Sequence, residues 1–329
     1  MNILDIKKVI GIDVAKDTLS VSIFDGKVHI VKEINYTIKN INNFIKKFNK
    51  EKTIFVMEAT GVYHLKVATT IFNKEFKVFV INPFVIKKYS QMKLMRIKTD
   101  SVDAKLIASF GYEYYKELKE FKPSDIKRVE VDNTIKAIDD LNHLKTITNN
   151  QLQAIKKVPN ANKGVIKSYQ NTIKYLTKEI AKLKKELEAL LKENFSKEFK
   201  LLNSIPGVGL KVIAMIIAFY DSFKSFDSAK KVVSFAGIAP SPYESGTSIK
   251  RRGGISKKGN SLIRKIIYMA TLSATLFNPL VKQKYQRLIQ RGKSKMTALI
   301  AAANKLLRIA FGVLKSQKPF DVNYLANIS

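Results

Sequence analysis

Apolar and polar positions change their rhythm twice along the chain. Val9 to Val14 (V-I-G-I-D-V) is a short apolar run closed by a polar turn, Leu19 to Phe24 alternates with period two, and Gly26 turns the chain toward a third strand near Val28 to Val31. Three consecutive antiparallel strands are predicted. Asn40 to Lys50 then carries Ile41, Phe44, Ile45 and Phe48 at helical spacing, and Thr53 to Met57 returns to a buried strand ending at Glu58. Val62 to Asn73 reads as a helix, Lys77 to Ile81 as a fifth strand, and Pro83 opens another helix. Helices following the fourth and fifth strands imply a mixed sheet.

From about Val131 the period becomes helical throughout. Val131, Ile135, Ile138, Leu141 and Leu144 form one stripe, Pro159 to Gly164 (P-N-A-N-K-G) interrupts it, and a second helix is predicted from Ser168 to Asn194. In that helix Ile173, Leu176, Ile180, Leu183, Leu187 and Leu190 alternate by three and four, a seam of about three heptads. Two readings are open: a hairpin packing on itself, or a coiled coil joining protomers. Leu262 to Leu276 and Ser294 to Lys315 are helical and read as core without site chemistry. The apolar stretch Met296 to Leu314 is broken by Lys305 and Arg308, so a buried helix is expected there and not a membrane span.

Charge narrows the function. Lys plus Arg number 59 against 27 Asp plus Glu, a formal +32, in a 329-residue chain. Such an excess repels itself in a compact fold and points to a polyanionic partner. The basic residues are spread over every segment and no lipid-anchoring motif accompanies them, which favours nucleic acid over a membrane surface. With no Cys and three scattered His (His29, His64, His143), disulfides are excluded and a zinc centre is disfavoured. The opening M-N-I-L-D-I-K-K lacks the apolar core of a signal peptide, and a cytoplasmic, nucleoid-associated protein is expected.

Two stretches carry candidate chemistry. In Arg96 to Lys105 (R-I-K-T-D-S-V-D-A-K), Asp100 and Asp103 stand three apart at a helix start and share a helical face. Like charges held that close call for a divalent cation or a buried proton. Asp13 inside the first strand and Glu58 at the end of the fourth bring the acids at element ends to four. Convergence on one or two Mg²⁺ ions, with a pair about 4 Å apart, is the usual clamp for phosphoryl transfer. The second stretch is a Gly-rich loop with the helix after it. Between Ser248 and Lys265 it holds Lys250, Arg251, Arg252, Lys257, Lys258, Arg264 and Lys265 and no acid, a phosphate-binding surface. Upstream, I-P-G-V-G with Gly207 and Gly209 has the helix-hairpin-helix pattern, in which backbone amides and a helix start grip a phosphate; the same turn also serves as a plain helix connector.

The strand order looks like the ribonuclease H type of fold. The combination G-I-D-V-A-K, M-E-A-T-G-V-Y and K-T-D-S-V-D-A-K resembles the DEDD transposases of the insertion sequence 110 family, relatives of Piv-like recombinases, over nearly the whole chain. The resemblance implies an α/β plus α architecture in three parts. These are a RuvC-like metal-binding domain over 1–125, a helical coiled-coil arm over 126–200, and a mainly helical C-terminal transposase domain over 201–329. It implies that Asp13, Glu58, Asp100 and Asp103 bind Mg²⁺ or Mn²⁺. It implies further that Ser245, before Gly246 and after Gly237 and Pro240, is the DNA nucleophile, with Ser241 the fallback. The partners implied are the element ends and target DNA, a structured guide RNA encoded by the element, and further copies of the chain. A RuvC-like nuclease or junction resolvase that activates water would use the same four acids, and a non-catalytic nucleic-acid scaffold would use them as helix caps.

Overall fold

The computed structural model describes residues 6–95, 99–240, 243–245, 249–251, 254–256 and 259–323, with the segments 243–245 and 249–251 defined by backbone alone. The chain divides into two compact units, 1–124 and 125–329.

The first unit is built on a five-stranded sheet. Strands β1 (Lys8–Val14), β2 (Thr18–Phe24) and β3 (His29–Asn35) form an antiparallel meander. After α1 (Ile38–Ile45), strand β4 (Thr53–Glu58) inserts parallel to β1; α2 (Tyr63–Phe72) then leads to β5 (Lys77–Ile81), parallel to β4. The order is β3-β2-β1-β4-β5, the mixed sheet that the alternation of periods predicts. Helices α3 (Pro83–Met92) and α4 (Asp100–Tyr114) complete the unit.

Strand alternation divides the core between two faces. Ile10, Ile12, Phe55, Met57 and Val78 point to one side, where they pack with Ile41, Ile45, Val67 and Ile71 of α1 and α2. Val9, Ile54 and Val56 point to the other, against Leu106, Ile107 and Phe110 of α4. Central strands buried on both sides read as unbroken apolar runs, which is why β4 is apolar from Ile54 through Met57.

In the second unit, α5 (Ile126–Ile155) and α6 (Lys163–Asn194) pack against each other. Val131, Ile135 and Ile138 of α5, with Ile180, Leu187 and Leu191 of α6, join the core formed by the later helices, so the segment 126–200 shares that core. The later elements are α7 (Ser196–Asn203), α8 (Leu210–Tyr220), α9 (Ala229–Phe235), the short hairpin β6 (Tyr243–Ser245) and β7 (Ile249–Arg251), α10 (Ser261–Phe277), α11 (Pro279–Gln290) and α12 (Lys295–Ser316). Helix α12 is long and apolar enough to cross a membrane by composition. Its Ala302, Ala303, Leu306, Leu307 and Ala310 are instead buried in the unit's core, as expected for this stretch.

Candidate functional site

The first unit sets its four acids on one sheet edge. Strands β1 and β4 are parallel and pair up to Ile12 opposite Met57, so the next residues, Asp13 and Glu58, are neighbours at the carboxyl ends of adjacent strands. Ile12 and Met57 face α1 and α2; by alternation Asp13 and Glu58 are on the opposite face, the one α4 covers. Where α4 crosses that face, its main chain at Ala104 and Ala108 lies on Gly11: a Cβ on Gly11 would stand 2.4 Å from Ala104 O and from Ala108 N. One turn further on, a Cβ on Gly111 would meet Val56 and Val9. Helix α4 therefore runs back along β1, from its carboxyl end toward its amino end. Asp13 lies two residues beyond Gly11, about 6.7 Å along the strand. Asp100 lies four residues before Ala104, about 6 Å along the helix in the same direction. Asp100 and Asp103 thus start α4 at the edge where Asp13 and Glu58 end their strands.

Local chemistry explains why α4 starts there. Thr99 caps the helix, its Oγ1 accepting from Val102 N at 3.3 Å, and two carboxylates in the first turn complement the helix dipole. Asp13, Glu58 and Asp103 are half-buried and Asp100 is exposed. Among the described residues no three His, Asp or Glu side chains stand close enough together to hold a metal ion. The donor set is nonetheless the one a hard divalent cation takes, carboxylate oxygen only.

The sequence reading missed the residues that seat α4. His29 links three elements: Ser22 Oγ lies 2.9 Å from its Nδ1, Ser109 Oγ of α4 lies 3.2 Å from its Nε2, and its ring stacks on Phe24 at 4.0 Å. Burial first, then the nearby Lys105 charge, holds its pKa below the ordinary histidine value. Nothing in the sequence marks His29, a single histidine at a strand start whose partners lie 7 and 80 residues away. Gly11 had a sequence signal, a glycine inside an apolar strand, which commonly marks close backbone approach.

In the second unit the I-P-G-V-G turn joins α7 to α8. Gly207 has φ +88°, and a Cβ there would meet the α10 backbone at Ala274 within 2.6 Å. Buried Asn278 fastens the turn, donating from Nδ2 to Pro206 O at 3.2 Å. Gly209 is the N-cap of α8, with no side chain to cap it and open space where a Cβ would lie. A cavity of about 530 Å³ opens here, lined by Gly207, Gly209, Lys184, Lys211, Lys265 and Asp139 among others. Lys265 Nζ donates to both Asp139 carboxylate oxygens, at 2.7 and 2.9 Å. Burial, together with the Lys184 and Lys265 charges and against the pull of Asp139, lowers the Lys211 pKa. Three ammonium groups, one carboxylate and an uncapped helix start can accept an anion of phosphate size. Lys184 and Lys211 were missed because lysines are everywhere in this sequence.

Of the basic loop, Arg264 is half-buried and donates to Gly259 O at 3.0 Å. Ser245, Lys250 and Arg251 lie in the backbone-defined strands β6 and β7, where Ser245 pairs with Ile249. Their side chains, together with Ser241, Gly246, Arg252, Lys257 and Lys258, lie outside the described residues.

Comparison with known proteins assigns the class. The sequence profile of the DEDD transposases of the insertion sequence 110 group, described as "Transposase", matches residues 10–157, and that of the "Transposase IS116/IS110/IS902 family" matches residues 199–286. The "Pilin gene-inverting protein" of Moraxella lacunata is 30% identical over 96% of this chain and 98% of its own length. The protein of the same name from Moraxella bovis is 29% identical over the same shares. Among solved structures, "T. thermophilus RuvC in complex with Holliday junction substrate" overlays 35% of this chain and 99% of its own at 13% identity, with a TM-score of 0.27. The chain belongs to the IS116/IS110/IS902 family of transposases.

Proposed function

We propose that this transposase cleaves and rejoins DNA strands at the ends of a mobile element through a serine in its second unit and four carboxylates in its first. The observation that carries the reading is the shared edge: Asp13 and Glu58 end adjacent parallel strands, and Asp100 and Asp103 start the helix that crosses the same face. Those four would hold Mg²⁺ or Mn²⁺. The ion, when bound, supplies charge stabilisation at the scissile phosphate and a lowered pKa for a coordinated hydroxyl.

Ser245 Oγ attacks phosphorus, a new O–P bond forms, and the bond from phosphorus to the deoxyribose oxygen breaks. The serine proton leaves to a carboxylate or to solvent, and the departing deoxyribose oxygen takes a proton. The phosphodiester energy stays in the seryl ester, so a deoxyribose hydroxyl of the second strand reverses the step without a nucleotide cofactor. No His stands near Ser245 in the sequence, so activation falls to the acids. Gly207, Gly209 and the basic loop, Lys250, Arg251, Arg252, Lys257, Lys258 and Arg264, bind backbone phosphates. DNA is the substrate, an element-encoded structured RNA guides it, and more than one copy of the chain assembles the two duplexes. The names of the Moraxella relatives, which invert a gene, suit such an exchange.

Purified protein incubated with Mg²⁺, the element's non-coding RNA and end-containing DNA is expected to give a protein-linked DNA band on a denaturing gel. The band disappears in Ser245→Ala and in Asp13→Ala. Cleaved DNA with free ends, unaffected by Ser245→Ala, would replace this reading with the water-using nuclease.

A further inference from the structure

Helix α12 reads in sequence as core without site chemistry, yet one side of the hairpin it forms with α11 is a charged groove. A cavity of about 1060 Å³ lies between these helices and the base of the serine loop, where Pro240 and Ile255 bridge. Two cations come from α11, Lys284 and Arg287, and two from α12, Lys305 and Arg308. Each pair is spaced i,i+3, which sets both members on one helix face. Among the described residues no Asp or Glu lines this cavity. Among the described residues none of the four has a carboxylate partner within ion-pair distance.

The cations are pressed together. Lys284 and Lys305 are half-buried, and Arg308 Nε is held by Asn304 Oδ1 at 2.7 Å. Burial first, and then the charges of Lys284, Arg308 and Arg287, hold the Lys305 ammonium below its ordinary pKa. Four like charges gathered against an apolar floor of Leu280, Ile300 and Ile255 are costly for the chain alone. A second cavity, of about 210 Å³, continues the groove past Lys305 and Arg308 toward Lys318, with Asp321 the one acid among its described lining residues. From Met296 to Ser316 the α12 wall runs about 30 Å.

We propose that this groove is a track for the phosphodiester backbone of a nucleic acid, held by Lys284, Arg287, Lys305 and Arg308 and leading to the serine loop. The charge pattern suits that occupant: a row of cations for phosphates, beside apolar and amide side chains for sugars and bases. The proposal rests on the nucleic-acid reading above and adds a binding surface on elements assigned no role there.

The test is the salt dependence of binding by full-length protein, measured by fluorescence anisotropy with end-containing duplex DNA and, separately, with the element's structured RNA. Each neutralised phosphate contributes about 0.9 to the log–log slope on duplex DNA. The variant K284Q/R287Q/K305Q/R308Q is therefore expected to lose about 3.6 of slope. Between 50 and 200 mM salt the wild type then weakens about 150-fold more than the variant. A control, K32Q/K39Q/K46Q/K47Q, removes the same charge from exposed sites on the first unit and is expected to leave the slope near wild type. K284R/K305R keeps the charge and is expected to keep the slope, separating contact from damage to the hairpin. A fall on one nucleic acid alone supports the track and names its source. Equal slopes for groove and control variants would overturn the track while leaving the transposase reading intact. Failure of the wild type to bind either nucleic acid would overturn both.

Discussion

Gly11→Ala tests whether the seat of α4 on β1 positions the acids. The added Cβ would stand 2.4 Å from Ala104 O and Ala108 N, against 3.4 Å for the shortest ordinary contact, so the helix must retreat by about 1 Å. Both obstacles are main-chain atoms, and no rotamer change relieves them. The same helix packs Leu106, Ile107 and Phe110 into the sheet, so the cost belongs at the upper end of overpacking, about 3 kcal/mol. Across the unit of residues 1–124, that cost lowers its melting temperature by about 10 °C. The retreat also carries Asp100 and Asp103 away from Asp13 and Glu58, and a displacement of about 1 Å costs roughly 100-fold in rate. Calorimetry of the full chain and the rate of strand cleavage measure the two effects. A variant melting within about 2 °C of wild type and cleaving at the wild-type rate would refute the placement of α4.

Gly209→Ala is expected to do the opposite: Gly209 has ordinary extended backbone and open space around it, so stability stays within about 0.5 kcal/mol while duplex affinity falls, by melting and anisotropy. Asp139→Asn frees Lys265 and leaves three unopposed ammonium groups in the cavity, so the salt slope of DNA binding steepens by about 0.9; an unchanged slope would remove the cavity from the interface. Burial holds His29 and His64 below the ordinary histidine pKa of 6.5. The unfolded chain therefore takes up protons first, and the stability from the neutral rings is complete above about pH 7.5 and drains as pH falls through 6.5 toward the folded-state values. The melting temperature should fall between pH 7.5 and 5.5, and less so in His29→Asn/His64→Asn; equal falls would exclude the two rings as the cause.

The sheet was legible because its strands alternate or run apolar over short, punctuated stretches, and Asp13 and Glu58 were visible as acids at the ends of those stretches. What makes them neighbours, the parallel pairing of β1 with β4, is a contact across more than 40 residues that no local period encodes. The groove was illegible for another reason. Lys305 and Arg308 interrupt the apolar α12 and were read only as evidence against a membrane span, because their partners in charge, Lys284 and Arg287, sit on a helix the periodicity did not reveal. The helix α11 is preceded by an Asn-Pro capping signal, Asn278 Oδ1 accepting from Val281 N at 3.2 Å, that the apolar pattern alone passes over. In the stretch 126–200, Val131, Ile135 and Ile138 with Ile180 and Leu187 lie in the core of the helices that follow, a long-range packing that a stripe at helical spacing does not encode.

The central claim is that Ser245 carries the DNA strand and that the acids of the first unit make it do so. Tryptic digestion of the protein–DNA adduct, followed by fragmentation of the peptide 232–250, reads this directly. The account predicts a nucleotide phosphate on Ser245 in the wild type and none in Asp13→Ala. A phosphate on another residue, or free cleaved ends with an unmodified peptide, would contradict it.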